Sequence, residues 1–376
     1  SKYSLNSSQA SIDENELLLN ENTSNSFEET DKTNFSNSIN YNKAFKKKGR
    51  FINLNFQNDN GNEIGNSLNQ STSIFYQATT PNDIRDQKLK NRNIKDVYDS
   101  EVEYTEPLRD STSVIFGVYW RREKSIEDHK AFDFDVASQT YSDDNPELTY
   151  YTFSNIKMIT PKSGFAIQKK KFNLNFTGGT TIVQQDNFSE YLGNTVTLNR
   201  NYIFPFANAY GSYRFGKSKS LWLNYEYQGE LPKAYQLLPV ENISNPLNTF
   251  KGNEAVDLIK YHSVYAHFSN YDYATRTGYT IYSGGEFYDN QVVSATIFDA
   301  SGKRTTTYQN VAGNIESWIG GNWNKSFKKD AHVFKIGAGI SNNFTKSRGF
   351  TNGEMFEANA IQIAPRLNFT YEYGEL

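Results

Sequence analysis

The 376 residues contain no cysteine, two methionines, four histidines and nine prolines. Without cysteine there is no disulfide scaffold and no thiolate metal site. No run of about 18 apolar residues occurs, which excludes a transmembrane helix. The net charge of -3 leaves no case for a nucleic-acid partner. There is no initiator methionine and no signal peptide; Ser1 lies inside a polar stretch, so the chain reads as a piece of something longer. Mean hydropathy is strongly negative, as in disordered chains, yet disordered chains are poor in aromatics. This one has 27 Phe, 26 Tyr and 4 Trp.

A barrel in a membrane reconciles those facts. Half of each strand faces a polar lumen, the loops are polar, and the lipid face with its girdles takes up the aromatics. The alternation needed is present. In Leu221 to Gln228, Leu221, Leu223, Tyr225 and Tyr227 point one way while Trp222, Asn224, Glu226 and Gln228 point the other. Val114, Phe116, Val118 and Trp120 alternate with Ser113, Gly117, Tyr119 and Arg121. The clearest run is the last: Ile361, Ile363, Pro365, Leu367, Phe369, Tyr371 and Tyr373 share one face, and Gln362, Ala364, Arg366, Asn368, Thr370 and Glu372 share the other. Pro365 is awkward inside a ladder, which predicts a bulge there.

Short turns alternate with longer polar connections. Turns are expected at Lys46 to Gly49, Leu108 to Ser111, Lys169 to Lys171, Gly216 to Ser220, Asn270 to Arg276 and Ser326 to Asp330. Long loops are expected at Gln77 to Arg92, Ala137 to Glu147, Asp186 to Asn199, Gln228 to Val256 and Thr345 to Asn359. Outer-membrane barrels have this asymmetry, with short periplasmic turns and longer extracellular loops. Gly278 to Asn324 reads as two long strands joined at Asp299 to Lys303 and standing up outside the membrane. The fold class is therefore all-β: a transmembrane antiparallel up-and-down β-barrel of which about thirteen strands are present. Ser1 to Lys32 reads as a polar extracellular loop, with a flexible tail the alternative that its composition fits equally well, and residues 33–376 read as the partial barrel domain, with the plug and both barrel ends missing.

Leu221 to Asn253 organises the chain. After its alternating strand come Pro232, Pro239 and Pro246 in an irregular segment. The pattern Tyr227-x4-Pro232-x3-Gln236-Leu237-x-Pro239, then Asn245-Pro246-Leu247 and Gly252-Asn253, resembles the barrel of TonB-dependent outer-membrane receptors. The resemblance is to the branch of SusC-like proteins and the related outer-membrane-protein β-barrel family. Tyr104-Thr105-Glu106-Pro107-Leu108, Phe204-Pro205 and Tyr308-x-Asn310-x-x-Gly313 are similar to further motifs of that family. Where the family continues Pro-x-Leu-x-Pro-Glu, this chain has Glu254-Ala255-Val256-Asp257. The resemblance implies a barrel of about 22 strands around a plug, located in the outer membrane of a Gram-negative bacterium. It implies ligand uptake across that membrane. The alternative is a structural or scaffold subunit of a multiprotein outer-membrane machine, without its own transport. The partners it implies are outer-membrane lipids and lipopolysaccharide, and a SusD-like surface lipoprotein lid or other outer-membrane complex subunits. TonB joins them if an upstream region carries its contact segment.

No catalytic, metal or cofactor site is expected, the chain does not read as an enzyme, and the ligand-binding residues stay open. His262 and His267 are five apart and fall on opposite faces of a strand, so they cannot chelate one metal. His262-Ser263 points two ways and forms no dyad. His129 and His332 stand alone. Asp143-Asp144-Asn145 and Glu147 lack the spacing of a calcium loop and read as solvated. Lys46 to Lys48 and Lys169 to Lys171 read as solvated turns near lipid head groups.

Overall fold

The computed structural model describes residues 1–76 and 80–374. They form one sheet of 18 strands. In chain order these are β1 (Lys2–Ile12), β2 (Leu18–Ala44), β3 (Phe51–Phe75), β4 (Asp83–Arg109), β5 (Thr112–Asp135), β6 (Thr140–Asp144), β7 (Tyr150–Gln168), β8 (Phe172–Tyr191) and β9 (Asn194–Arg214). β10 (Lys219–Glu230) is followed by a single helical turn, α1 (Ala234–Leu237). Then come β11 (Glu241–Asn245), β12 (Asn248–Lys251), β13 (Ile259–Asp272), β14 (Thr277–Phe298), β15 (Arg304–Val311), β16 (Ile315–Lys329), β17 (His332–Thr351) and β18 (Glu354–Tyr373). Five strands (β1, β6, β11, β12 and β15) are outworks. The other thirteen form the expected meander, each antiparallel to the next.

Register places the expected apolar residues on one continuous surface. Val102 faces Val118, Val118 faces Pro161, and Ile159 faces Ile182, which faces Ile203. Cross-strand partners share a face, so these residues line a single outer wall. That wall is bare: Leu367 is 84% exposed, Ile203 73% and Ile361 68%. An apolar surface this extensive belongs against lipid rather than water. Asn, Ser, Glu, Lys and Arg fill the opposite, concave face.

The short turns lie where alternation predicts them. Several expected loops, however, are strand. Asp186 to Asn199 is the end of β8 and the start of β9, joined by Leu192-Gly193. Thr345 to Asn359 is likewise the meeting of β17 and β18 at Asn352-Gly353. Asn352 and Gly353 have φ of 52° and 83°, the two left-handed residues of a type I′ turn, whose twist matches the strands it joins. Most of Gln77 to Arg92 belongs to β4; Gln77 to Thr79 lie outside the described residues. Ala137 to Glu147 carries the short strand β6, folded back on the end of β5. Ser1 to Lys32, expected as a loop, is a hairpin: β1 pairs along β2 from Lys2↔Glu29 to Ile12↔Leu18. Its tip is an Asx turn, with Asp13 Oδ1 accepting from Asn15 N (2.9 Å) and Leu17 N (2.8 Å). Beyond the bilayer both faces of a strand meet water. The apolar alternation therefore ends while backbone pairing continues.

Pro365 makes no bulge. β17 and β18 keep unbroken register through Ile340↔Pro365. Among the described residues β18 pairs only with β17, and a proline on an edge strand loses no ladder bond when its nitrogen faces the open side. Beyond Thr30, β2 also has one partner, β3. The sheet nevertheless curls until its far parts touch above the membrane. Ser301, in the tip between β14 and β15, accepts a bond from Asn20 Nδ2 (2.8 Å), and Lys303 lies 5.2 Å above the Phe75 ring. The expected tall hairpin of Gly278 to Asn324 is thus present, and it reaches across to β2 and β3.

Candidate functional site

The concave face holds three connected chambers. The first, about 760 Å³, lies against β2 to β5 and is charged. Arg121 pairs with Asp99 (3.3 Å) and Glu123 (2.6 Å), Lys95 with Glu123 (2.9 Å), and Lys32 with Glu63 (3.5 Å). The second, about 400 Å³, runs across β4 to β10. There Lys162 bonds Glu103 (3.0 Å) and Glu101, and Phe204 and Phe206 form the apolar wall. The third, about 240 Å³, lies beneath the segment between β10 and β13 and is lined by Glu127, Tyr150, Tyr235, Phe250 and Tyr308 among others. Arg121 borders the first two chambers and Glu127 borders the first and third.

The irregular segment after β10 builds the roof. It folds into the concavity on its own small core: Leu237, Leu238, Leu247, Val256 and Leu258 are all buried. Each part of the motif has a local cause. The Asn245 side chain accepts from Leu247 N (2.9 Å), bending the chain around Pro246. Asn253 accepts from Ala255 N (2.9 Å) and donates to Tyr308 O (2.8 Å). Asn310 closes a two-bond link, accepting from Asp257 N (2.8 Å) and donating to Asp257 O (3.1 Å). β12 also adds to β15 in parallel. The segment is therefore stapled to the tall β14–β15 hairpin. Below, Leu258 joins Val183, Tyr202 and Phe204 in one buried cluster, and Gln185 Nε2 donates to Pro232 O (3.2 Å).

Gly252 has no room for a side chain, since a Cβ there would stand 2.0 Å from Leu238 O. Gly252→Ala is expected to displace the roof and to cost about 1–3 kcal/mol by overpacking. Limited proteolysis within 239–252 should become faster while the barrel stays intact; an unchanged cleavage rate would mean that the roof is not held through this contact.

The other motif positions brace the sheet. At the turn after β2, Glu106 accepts from Nε and Nη2 of Arg50 (2.7 and 2.9 Å) and from Nζ of Lys47 (2.6 Å). Arg50 first, then Lys47 and the Tyr104 hydroxyl, hold the Glu106 carboxyl down to about 2. The four histidines lie apart. His129 bonds Leu148 O (2.7 Å) and stacks on Tyr150, and burial lowers its pKa. His262 meets Tyr225 (2.9 Å) and Asp289 (3.2 Å) on the outer face, while His267 is on the inner face and Ser263 points away from His262. His332 meets Tyr371 (2.8 Å) at the turn end. Of the acidic stretch, Asn145 is tied to Asp133 (2.8 Å). Among the described residues no group of three or more His, Asp or Glu side chains is placed to hold a metal ion.

The sequence did not single out Glu127, Tyr150, Tyr235 or Phe250, and it marked Tyr308 only as a motif position. Glu127 sits directly across from Thr152 in the β5–β7 register, so its inward direction follows by counting from Arg121. Tyr235 and Phe250 arrive from the folded roof and carry no periodic signal, and Tyr308 comes from β15, to which the roof is stapled.

A family model described as the outer membrane protein beta-barrel family matches residues 43–375. No curated protein matches the sequence. Among solved structures, the hemophore receptor HasR of Serratia marcescens, in complex with its hemophore HasA and heme, is 6% identical, with 94% of this chain and 65% of that one covered at a TM-score of 0.46. The RagAB peptide importer is 13% identical, with 87% and 37% covered at 0.49. The siderophore receptor PiuA from Acinetobacter baumannii is 9% identical, with 95% and 61% covered at 0.45. This chain spans less than two thirds of the length of each.

Proposed function

The chain belongs to the outer membrane protein beta-barrel family, and on that premise we propose that it is the barrel portion of a TonB-dependent-receptor-like protein that takes up a ligand across the outer membrane of a Gram-negative bacterium. The observation that carries this reading is the roof. A segment with its own buried core is folded over the concave face and closes an aromatic chamber there, beside two strand-lined chambers, one charged and one mixed. A receptor needs such graded surfaces to select a ligand, whereas a scaffold needs only its outside. The role is binding and passage rather than catalysis. A surface lipoprotein seated on the extracellular rim is the partner we propose, since the tall hairpins β1–β2 and β14–β15 present a broad exposed platform there.

The test is depletion of solutes from the growth medium by cells with and without the protein. One chemical class of solute is expected to persist in the medium of cells lacking it. If every solute is consumed equally and instead an outer-membrane complex comes apart, the protein is a scaffold.

A further inference from the structure

The third chamber holds a carboxylate with nothing to bind. Nine residues line it, and Glu127 is the only one that carries a charge. Glu127 makes no hydrogen bond or ion pair to any described residue, although it is half-buried. The three basic side chains of the adjoining charged chamber are all engaged elsewhere: Lys32 with Glu63, Lys95 with Glu123, and Arg121 with Asp99 and Glu123. A desolvated carboxylate without a partner is costly, and proteins normally pair it. Here no described residue supplies that partner.

The walls say what kind of partner fits. Tyr150, Tyr235, Phe250 and Tyr308 surround the space; Tyr235 and Tyr308 meet edge to face at 5.9 Å. Tyr235 lines the chamber and is 55% exposed. Leu238 and Val240 complete an apolar side. Two of the neutral polar groups are engaged: Thr152 bonds Ser189 (3.2 Å) and Asn242 Oδ1 accepts from Ser244 N (3.0 Å). One carboxylate among neutral tyrosine hydroxyls is too little for a divalent metal ion, which takes six or more oxygens, several of them from carboxylates or carbonyls. Aromatic rings around a single anion instead suit a weakly hydrated organic cation, held by ring quadrupoles on its sides and by the carboxylate at its charge. Burial of Tyr150 itself, and then the nearby Glu127 carboxylate, raise the Tyr150 hydroxyl to about 12, so the tyrosine stays neutral.

We infer that the chamber under the roof is a binding site for an organic ammonium group, with Glu127 as its counter-ion and Tyr150, Tyr235, Phe250 and Tyr308 as its cage. This rests on the uptake reading and narrows it: the ligand taken up carries a positively charged amine. The chamber volume of about 240 Å³ admits an alkylammonium head group with room for the start of a chain leading into the charged chamber.

The experiment is calorimetric titration of the full-length protein in detergent with choline, with n-butylammonium, and with dimethylbutanol, the neutral carbon isostere of choline. At least one of the two cations is expected to bind about tenfold or more tightly than the neutral compound. Glu127→Gln should weaken that cation about tenfold and leave the neutral compound unchanged. Tyr235→Leu should weaken it by about threefold or more, and heat-modifiable migration should confirm that both variants are folded. Equal affinity for charged and neutral probes, no binding of either cation, or an unchanged affinity in folded Glu127→Gln overturns the assignment. The medium-depletion assay separates this from the uptake reading. Depletion that depends on the protein but involves only neutral or anionic solutes overturns the ammonium site and leaves uptake standing. Cation binding without any depletion does the reverse.

Discussion

Leu367→Arg is expected to cost about 2–4 kcal/mol of folding free energy in lipid vesicles, while Asn368→Arg costs little. The two positions are neighbours on β18 and differ in direction. Leu367 stands opposite Ala338, and Asn368 stands opposite Gly337. Leu367 is on the outer wall with Ile363 and Phe369 and is 84% exposed, so an arginine there must enter hydrocarbon or bend toward the interface. Asn368 is on the concave face. Gly337 beside it leaves space, its absent Cβ lying 3.7 Å from the Asn368 Cβ, and water can solvate the new charge. Folding yield and urea midpoint in vesicles measure the difference. Equal losses, or a larger loss at Asn368, would mean that the sheet faces lipid with its other side, because shifting a strand by one residue exchanges its faces.

That face was legible in the sequence for a simple reason. Inside a bilayer the two sides of a strand meet opposite solvents, so composition must alternate with the pleat. Phe116, Val118 and Trp120 on β5 and Leu221, Leu223 and Tyr225 on β10 follow it without exception. Where the strands rise above the membrane the constraint disappears. The outer part of β2 reads Asn20-Glu21-Asn22-Thr23-Ser24-Asn25, polar on both sides, yet it pairs residue for residue with Ser71 to Phe75 and beyond. Nothing in its hydropathy distinguishes it from a loop. Turn chemistry could have: Asn352-Gly353 is a two-residue hairpin signal, and it marks the point where an expected loop is two strands meeting. The site was less legible still. Glu127 is placed by register, but its missing partner is visible only once Lys95 and Arg121 are seen to be held by Glu123 and Asp99. The aromatic cage depends on Asn253 and Asn310 folding the roof onto β15, a contact between segments more than fifty residues apart.

The second large effect is sidedness, and it is close to all-or-none. Because the chain has no cysteine, single cysteines can be introduced without background. On intact cells a membrane-impermeant maleimide should label cysteine at Asp143 and at Asn352 and leave it unlabelled at Lys170 and Lys328 until the outer membrane is broken. Asp143 is exposed on β6, the short strand folded back beside β5, and Asn352 is exposed in the turn between β17 and β18. Lys170 is in the turn between β7 and β8, and Lys328 lies at the end of β16 next to the turn at Asp330. Strands of a meander cross in pairs, so alternate connections share a side, and the taller extensions mark the extracellular one. β1, β6, the roof and the β14–β15 tip all rise from the end that carries Asp143, whereas the connections at Lys170 and Asp330 are only a few residues long. A lipoprotein bound on the outer rim would shield Asp143 or Asn352 without exposing the opposite end, so the two lysine positions decide the result. Labelling of Lys170 on intact cells with Asp143 silent would invert the barrel, placing the ammonium chamber and its roof on the periplasmic side. Equal labelling of Asp143 and Lys170 would mean that β7, which separates them, does not cross the membrane.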